Sequence, residues 1–400
     1  MRISTSNAYQ TSLDSLMDRQ VSLSGTQEQM TTGKRVNRAS DDPAAAARAE
    51  RALAAEQRAT ASQRAVDASN NAMTLTESAL GDATDLLQQV REALVSAGNA
   101  SYSDAERASK ANEIADLRKQ LLAVANRTDG SGTYLFGGQG ASSAPFADVP
   151  GGVSFQGAGG VVQAASGEAL PLTMNGESTW MNARTGNGVF TTRAVTSTGS
   201  AWIDAGSVTN PSAVTGSTYS LQFSVSGSTT TYSVLENGSP MVPPQTNLPF
   251  SAGQTIQIDG LTATISGQPA NGDAFELAPS SSSLSVFDAL DKAVADLKTT
   301  GRSGSQIAQS NSTNLGNLDA VLGQMTSGRA QVGATLARID AVTSRISDLK
   351  LASQTERSNA EDLDMTQAIS DFSNQQTGYD AALKAYSLVQ KLSLFNYLSA

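Results

Sequence analysis

Apolar residues recur along both flanks of the 400-residue chain at alternating steps of four and three. Near the N-terminus the series is Tyr9, Leu13, Leu16, Gln20, Leu23, Gln27 and Met30. A second stripe runs Val66, Ser69, Met73, Thr76, Leu80, Ala83, Leu87, Val90, Leu94, Ala97, and a third Ile114, Leu117, Leu121, Val124. The fourth runs Leu315, Leu318, Leu322, Met325, Arg329, Val332, Leu336, Ile339, Thr343, Ile346. The last is Ile369, Phe372, Gln376, Tyr379, Leu383, Tyr386. This spacing places one seam of each helix against a partner helix. A helix from about Ile307 to Lys350 is roughly 65 Å long, which suits a rod better than a globule.

Helix ends are legible too. Gly33 is suited to a left-handed stop after the first helix, and Asp42-Pro43 reads as an N-cap followed by proline in the first turn. Asn99-Ala100-Ser101 breaks the second helix; Asp104 is placed to cap the third and Gly130-Ser131-Gly132 to end it. The centre of the chain switches to period two. Tyr219, Leu221, Phe223 and Val225 alternate with polar residues, Tyr232 and Val234 continue after a turn, and Asp259-Gly260 joins Ile256 and Ile258 to the run Leu261 to Ile265 as a tight hairpin. The predicted fold is an α+β multidomain chain: a long antiparallel α-helical coiled-coil rod formed by both chain ends, with an inserted mainly-β domain. The expected divisions are 1–42 with 356–400 (terminal helices), 43–133 with 284–355 (rod), and 134–283 (insert).

Composition reinforces the division. Nine of the eleven prolines lie between Pro145 and Pro269, and 22 of the 34 glycines between residues 131 and 280. Both residues disfavour helix interiors. Ser/Thr/Gly runs between the central strands read as surface loops. The chain has no cysteine and no histidine, which excludes disulfides, thiolate and histidine metal sites, and Ser–His or Cys–His catalysis. A net charge of -10 without a basic patch argues against nucleic acid. No apolar run is long enough for a membrane span, and no apolar core of a cleavable signal peptide follows Met1.

Candidate chemistry is sparse. The Asp41-Asp42 pair does not converge on a metal without further ligands. Gly137-Gly138-Gln139-Gly140 lacks the lysine and helix of a phosphate loop and reads as an interdomain linker. Asp259, Asp273 and Glu276 are the only grounds for an enzyme. Tyr379, Tyr386 and Phe395 suit packing better than a small-molecule site. No cofactor and no metal are expected.

The run Gly33-Lys34-Arg35-Val36-Asn37-Arg38-Ala39-Ser40-Asp41-Asp42-Pro43-Ala44, together with Arg2-Ile3-Ser4-Thr5, resembles the flagellin superfamily. Within it, Tyr134-Leu135-Phe136-Gly137-Gly138, the stretch Ile265 to Phe275, and the C-terminal Thr377-Gly378-Tyr379-Asp380-Ala381-Ala382-Leu383 with Leu392-Ser393-Leu394-Phe395-Asn396-Tyr397-Leu398 are most similar to the hook-associated proteins of the distal hook–filament junction. The resemblance covers both flanks and is weak over much of the insert.

It implies a structural protein of the bacterial flagellum, exported without a cleavable signal peptide and assembled outside the cell. The terminal helices would form an inner tube and the remaining helices a rod around it. The implied partners are neighbouring copies in a ring, the proximal hook–filament junction protein, flagellin and a flagellar export chaperone. Assembly contacts are expected at Leu13, Leu16, Leu23 and Met30, at Arg35, Arg38, Asp41 and Asp42 in the loop, and at Tyr379, Leu383, Tyr386, Leu388, Leu392 and Phe395, the last five also being candidates for the chaperone contact. Taken alone, the spacing of Arg35, Arg38, Asp41 and Asp42 favours a helix cap and a solvated loop over an intersubunit contact; the resemblance shifts the reading to the contact. The thin terminal seams predict ends that order only when copies stack. The competing readings are a filament flagellin and, in a different class, a coiled-coil surface adhesin or fibre.

Overall fold

The computed structural model describes residues 5–141, 143–164 and 168–398. The helices are α1 (Thr5–Thr32), α2 (Pro43–Ala97), α3 (Asp104–Ala125), α4 (Val286–Lys298), α5 (Gly304–Glu361) and α6 (Met365–Leu398). The chain divides into two compact units. One comprises residues 1–64 and 342–400, the other residues 65–341.

The second unit has a dense helical core. All ten positions of the second stripe, Val66 to Ala97, are buried, as are Ile114, Leu117, Leu121 and Val124 of α3. The two hydroxyls in that seam are satisfied: Ser69 donates to the Pro171 carbonyl at 2.6 Å and Thr76 to Ala72 at 2.7 Å. On α5, Leu318, Leu322, Met325, Val332 and Ile339 are buried as the stripe requires. Arg329 instead turns outward to Glu77, and Val342 takes the inward place expected of Thr343. Helix α3 is capped by Ser103, not Asp104. The Ser103 hydroxyl accepts the Glu106 N–H while the Glu106 carboxylate accepts the Ser103 N–H at 2.7 Å, a reciprocal capping box. The helix ends at Ala125, five residues before Gly130: the Asn126 N–H donates back to the Leu122 carbonyl as the cap, and its side-chain amide donates to the Phe146 carbonyl and accepts the Phe146 N–H.

The strands are β1 (Phe146–Val149), β2 (Gly152–Phe155), β3 (Ala183–Arg184), β4 (Phe190–Thr196), β5 (Trp202–Ile203), β6 (Ser207–Val208), β7 (Tyr219–Ser226), β8 (Thr229–Glu236), β9 (Ser239–Pro240), β10 (Leu248–Pro249), β11 (Gln254–Ile258), β12 (Leu261–Ser266), β13 (Ala274–Pro279) and β14 (Ser282–Leu284). An antiparallel sheet of order β10-β8-β7-β13-β4 and a smaller one of order β11-β12-β5 share one core, which includes Phe190, Tyr219, Phe223, Tyr232, Ile256, Ile265 and Phe275. The β7–β8 hairpin pairs Tyr219 with Glu236 through Ser226 with Thr229. In the β11–β12 hairpin Ile258 faces Leu261 across Asp259 and Gly260, whose φ values of 42° and 77° are those of a primed two-residue turn.

A knot of aromatic rings sits beside α4. Trp180, on a short π-helical turn over Glu177–Met181, lies 5.3 Å from Phe136, 6.0 Å from Phe146 and 6.1 Å from Phe287, centroid to centroid. All four side chains are fully buried or nearly so. Each buried aromatic contributes about 1.5–3 kcal/mol of transfer free energy. The Gly137–Gly140 stretch is not a free linker. It is threaded through the fold, with Gly137 bridged to Asn175 and Gly138 to Ala158. Gly138 has φ 66°, and a Cβ there would lie 1.7 Å from the Ala158 carbonyl oxygen, so only glycine fits. Close by, the buried guanidinium of Arg118 ties α3 to Asp148 at the end of β1 and to Asp291 on α4, at 2.9 and 2.6 Å.

Candidate assembly site: the turn clasp and the terminal helix pair

In the first unit the chain reverses twice, between α1 and α2 and between α5 and α6. The two turns are bonded to each other. The Arg35 and Val36 N–H groups donate to the Glu361 carbonyl at 2.7 and 3.4 Å, and the Leu363 N–H donates to the Gly33 carbonyl at 3.0 Å. Lys34 pairs with Glu361 at 3.1 Å, and Arg35 Nη2 donates to the Ala360 carbonyl at 2.9 Å. Val36 is buried beneath them. Gly33 ends α1 at φ 70°, in the left-handed region its position predicts.

The charged loop residues stabilise this clasp from within. The Asp41 carboxylate accepts the N–H groups of Asn37 and Arg38 at 3.1 and 2.8 Å. Asp42 accepts the Ala45 N–H at 3.0 Å as the α2 cap and pairs with Arg35 at 3.2 Å. The Ala45 N–H and then Arg35 hold the Asp42 carboxyl below the usual aspartate range. Arg38 reaches Glu28 at 3.2 Å. Arg35, Arg38 and Asp41 nevertheless remain exposed, and Asp42 is half-buried.

Helices α1 and α6 pair with each other. Leu16 is buried, while Leu13, Leu23 and Met30 are only half-covered. Opposite them, Tyr379 and Tyr386 are half-buried and Leu383 and Leu388 exposed. The rings of Tyr9 and Tyr386 lie 5.5 Å apart with their hydroxyls bonded to each other. The side chains of Leu392 and Phe395 lie outside the described residues. Two contacts escaped the stripe pattern: Thr26, buried and donating to Gln375 Oε1 at 2.9 Å, and Ala368, buried near the start of α6. Both are small, so an apolar-spacing search passes over them. Large apolar side chains remain uncovered on both helices: Val21 is 71% exposed, Met17 50%, Ile369 55% and Leu388 61%. Two helices alone cannot cover such faces.

Among the described residues no group of His, Cys, Asp or Glu could hold a metal ion, and no helix is long and apolar enough to cross a membrane. The three acids of the insert serve separate structural ends. Asp259 accepts the Tyr219 hydroxyl at 2.7 Å, Glu276 pairs with Arg193 at 2.7 Å, and the fully buried Asp273 accepts the N–H groups of Thr198, Gly199 and Ala270 at 2.7, 3.1 and 2.7 Å.

Residues 3–141 match the bacterial flagellin N-terminal helical region and residues 315–398 the flagellin C-terminal helical region. Flagellar hook-associated protein 3 of Escherichia coli strain K12 is 27% identical over 400 residues, covering 99% of each chain. The solved FlgL of Xanthomonas campestris (space group C2) shares 30% identity, with a TM-score of 0.68 over 78% of this chain and 99% of that one. The chain belongs to the flagellar hook-associated protein 3 family. The flagellar junction protein FlgL of Legionella pneumophila is likewise similar, at 28% identity and a TM-score of 0.64 over 70% of this chain and 95% of that chain. Matching filament flagellins align over only about a third of this chain. The hook-associated protein 3 family is a family of structural components of the flagellum, and its likeness runs through the insert as well as the flanks.

Proposed function

We propose that this chain joins hook to filament in the bacterial flagellum, polymerising through its paired terminal helices. The uncovered apolar faces of α1 and α6 carry the reading. They are too large for one helix pair to bury, and neighbouring copies would cover them. In this reading residues 1–42 and 356–400 form the inner tube, 43–133 and 284–355 the rod, and 134–283 the projecting insert. Leu13, Leu16, Leu23, Met30, Tyr379, Leu383, Tyr386, Leu388, Leu392 and Phe395 supply apolar contacts, and Arg35, Arg38, Asp41 and Asp42 present polar groups around the clasp.

The partners are copies of the chain in a ring, the proximal junction protein on the hook side, and flagellin on the filament side. An export chaperone holds the C-terminal amphipathic segment before assembly. Export proceeds without a cleavable signal peptide, and the work is structural, not enzymatic. The absence of cysteine suits a chain that travels unfolded and must not cross-link early. Immunogold labelling of intact flagella tests the reading. A single band at the hook–filament boundary is expected, and labelling along the filament overturns it. Deletion should leave hooks intact with unassembled flagellin in the medium.

A further inference from the structure

Tyr9, near the start of α1, and Tyr386, in α6, meet across 377 positions of sequence. Their ring centroids lie 5.5 Å apart, their planes are inclined by 40°, and the Tyr386 hydroxyl donates to the Tyr9 oxygen. Tyr9 is 40% exposed, so a small solute can reach the pair. Among the described residues no other two tyrosine rings touch. Tyr102 and Tyr219 direct their hydroxyls elsewhere, to Ser96 at 2.9 Å and to Asp259 at 2.7 Å. The chain has no cysteine, so no disulfide can join its ends and no thiol is present to intercept an oxidant first.

A phenol that loses one electron and one proton becomes a phenoxyl radical, whose unpaired spin is shared with the two carbons flanking the oxygen-bearing one. With hydroxyl against hydroxyl, one such ortho carbon of each ring lies beside the contact. We propose that Tyr9 and Tyr386 form an oxidative cross-linking site, which closes a dityrosine bond between α1 and α6 of one chain. The co-reactant is a peroxide, acting through a haem peroxidase or a redox metal as a one-electron oxidant. Each ring gives up one electron and one proton, and a carbon–carbon bond forms between the two ortho carbons. The ortho hydrogens then leave as protons while the two oxygens regain theirs, restoring both phenols. The two electrons and two protons released overall convert one hydrogen peroxide to two waters. Holding the rings in contact replaces a chance encounter of two radicals by an intramolecular step. A bond across so long a loop would remove much of the freedom of the unfolded chain. It requires only that α1 and α6 pair within a chain, and does not depend on what the chain joins.

The test treats the full-length chain with a haem peroxidase and hydrogen peroxide. The unmodified protein should gain the blue fluorescence of dityrosine. Its digest should contain the Tyr9 peptide joined to the Tyr386 peptide, lighter by two hydrogens than their sum. The product should run as a single chain on denaturing gels, with a yield that does not fall on dilution. Y9F and Y386F, which keep the ring and remove the reactive hydroxyl, should each lower that yield at least tenfold, whereas Y102F should leave it unchanged. Circular dichroism of the three variants checks that each keeps its helices. Absence of the joined peptides from the unmodified chain, coupling only between chains, or an undiminished yield in Y9F or Y386F overturns the proposal. The junction reading fails separately, on labelling of the unmodified protein along the filament.

Discussion

The two units are built from the same heptad pattern and bury it differently. In the unit of residues 65–341, every member of the α2 stripe from Val66 to Ala97 is buried, and four aromatic rings close the core beside α4. In the unit of residues 1–64 and 342–400, the seam between α2 and α5 is lined by Ala45, Ala49, Ala52, Ala59, Ser353 and Ala360, and a polar layer runs through it. There Gln354 donates to Glu56 at 2.8 Å and Arg357 lies 3.4 Å from it. The α1–α6 pair buries Leu16 and leaves Val21, Ile369 and Leu388 exposed. Periodicity therefore specifies which face a helix offers, not how much of that face its own chain covers. A seam with third and fourth elements over it is a core; the same seam on two helices is an unfinished one.

Three changes probe this contrast. The largest effect is expected from Trp180→Ala, which empties the centre of the aromatic knot and should destabilise its unit by about 3–5 kcal/mol. Denaturant unfolding followed by near-ultraviolet circular dichroism would measure it.

Asp273→Asn comes next, at about 2 kcal/mol, because an amide nitrogen would face at least one N–H that the carboxylate now accepts. Burial raises the Asp273 pKa, and the N–H groups of Thr198, Ala270 and Gly199 outweigh it, leaving the net shift downward. A carboxyl depressed on folding stabilises fully above its unfolded pKa of about 3.9, and that contribution disappears as pH falls through the lower folded value. The unmodified insert should therefore lose stability in that acid window, and the Asn variant should lack this part of the slope in melts taken from pH 6 to pH 2.5.

The smallest effect on the isolated chain is expected from Leu16→Ala, below about 1 kcal/mol, since a lone helix pair contributes little. Its effect on assembly should be far larger, as incorporation into flagella would read. A Leu16→Ala loss in the monomer as large as that of Trp180→Ala would erase the distinction between the units.

Much of the fold was legible in the sequence for local reasons. Asp259-Gly260 demands a primed turn, Gly33 a left-handed stop, and Asp42-Pro43 a helix start; each is decided by its own backbone or side chain. The α2 and α3 stripes were legible because large apolar residues repeat without interruption. The misplaced cap was a competition between neighbours: Ser103 sits three residues before Glu106, and the reciprocal pair outweighs the single carboxylate of Asp104. The role of Gly137–Gly140 depends on Ala158 and Asn175, to which no local pattern points. In the assembly site, Arg35, Asp41 and Asp42 were found by their motif, but their bonds to Ala360, to the loop backbone and to the α2 start follow from long-range folding. Lys34 and Glu361 escaped notice because an ion pair between two turns far apart in sequence leaves no periodic trace.

The clasp also has a consequence in time. Arg35 bonds to Ala360 across 325 positions of sequence. Closing so long a loop is entropically costly and slow compared with forming a hairpin or a helix turn. A chain delivered end-first leaves its leading terminal helix without a mate until almost every other residue has followed. Unit 65–341 can mature along the way, whereas the terminal helices come together last, at the moment the whole chain is present.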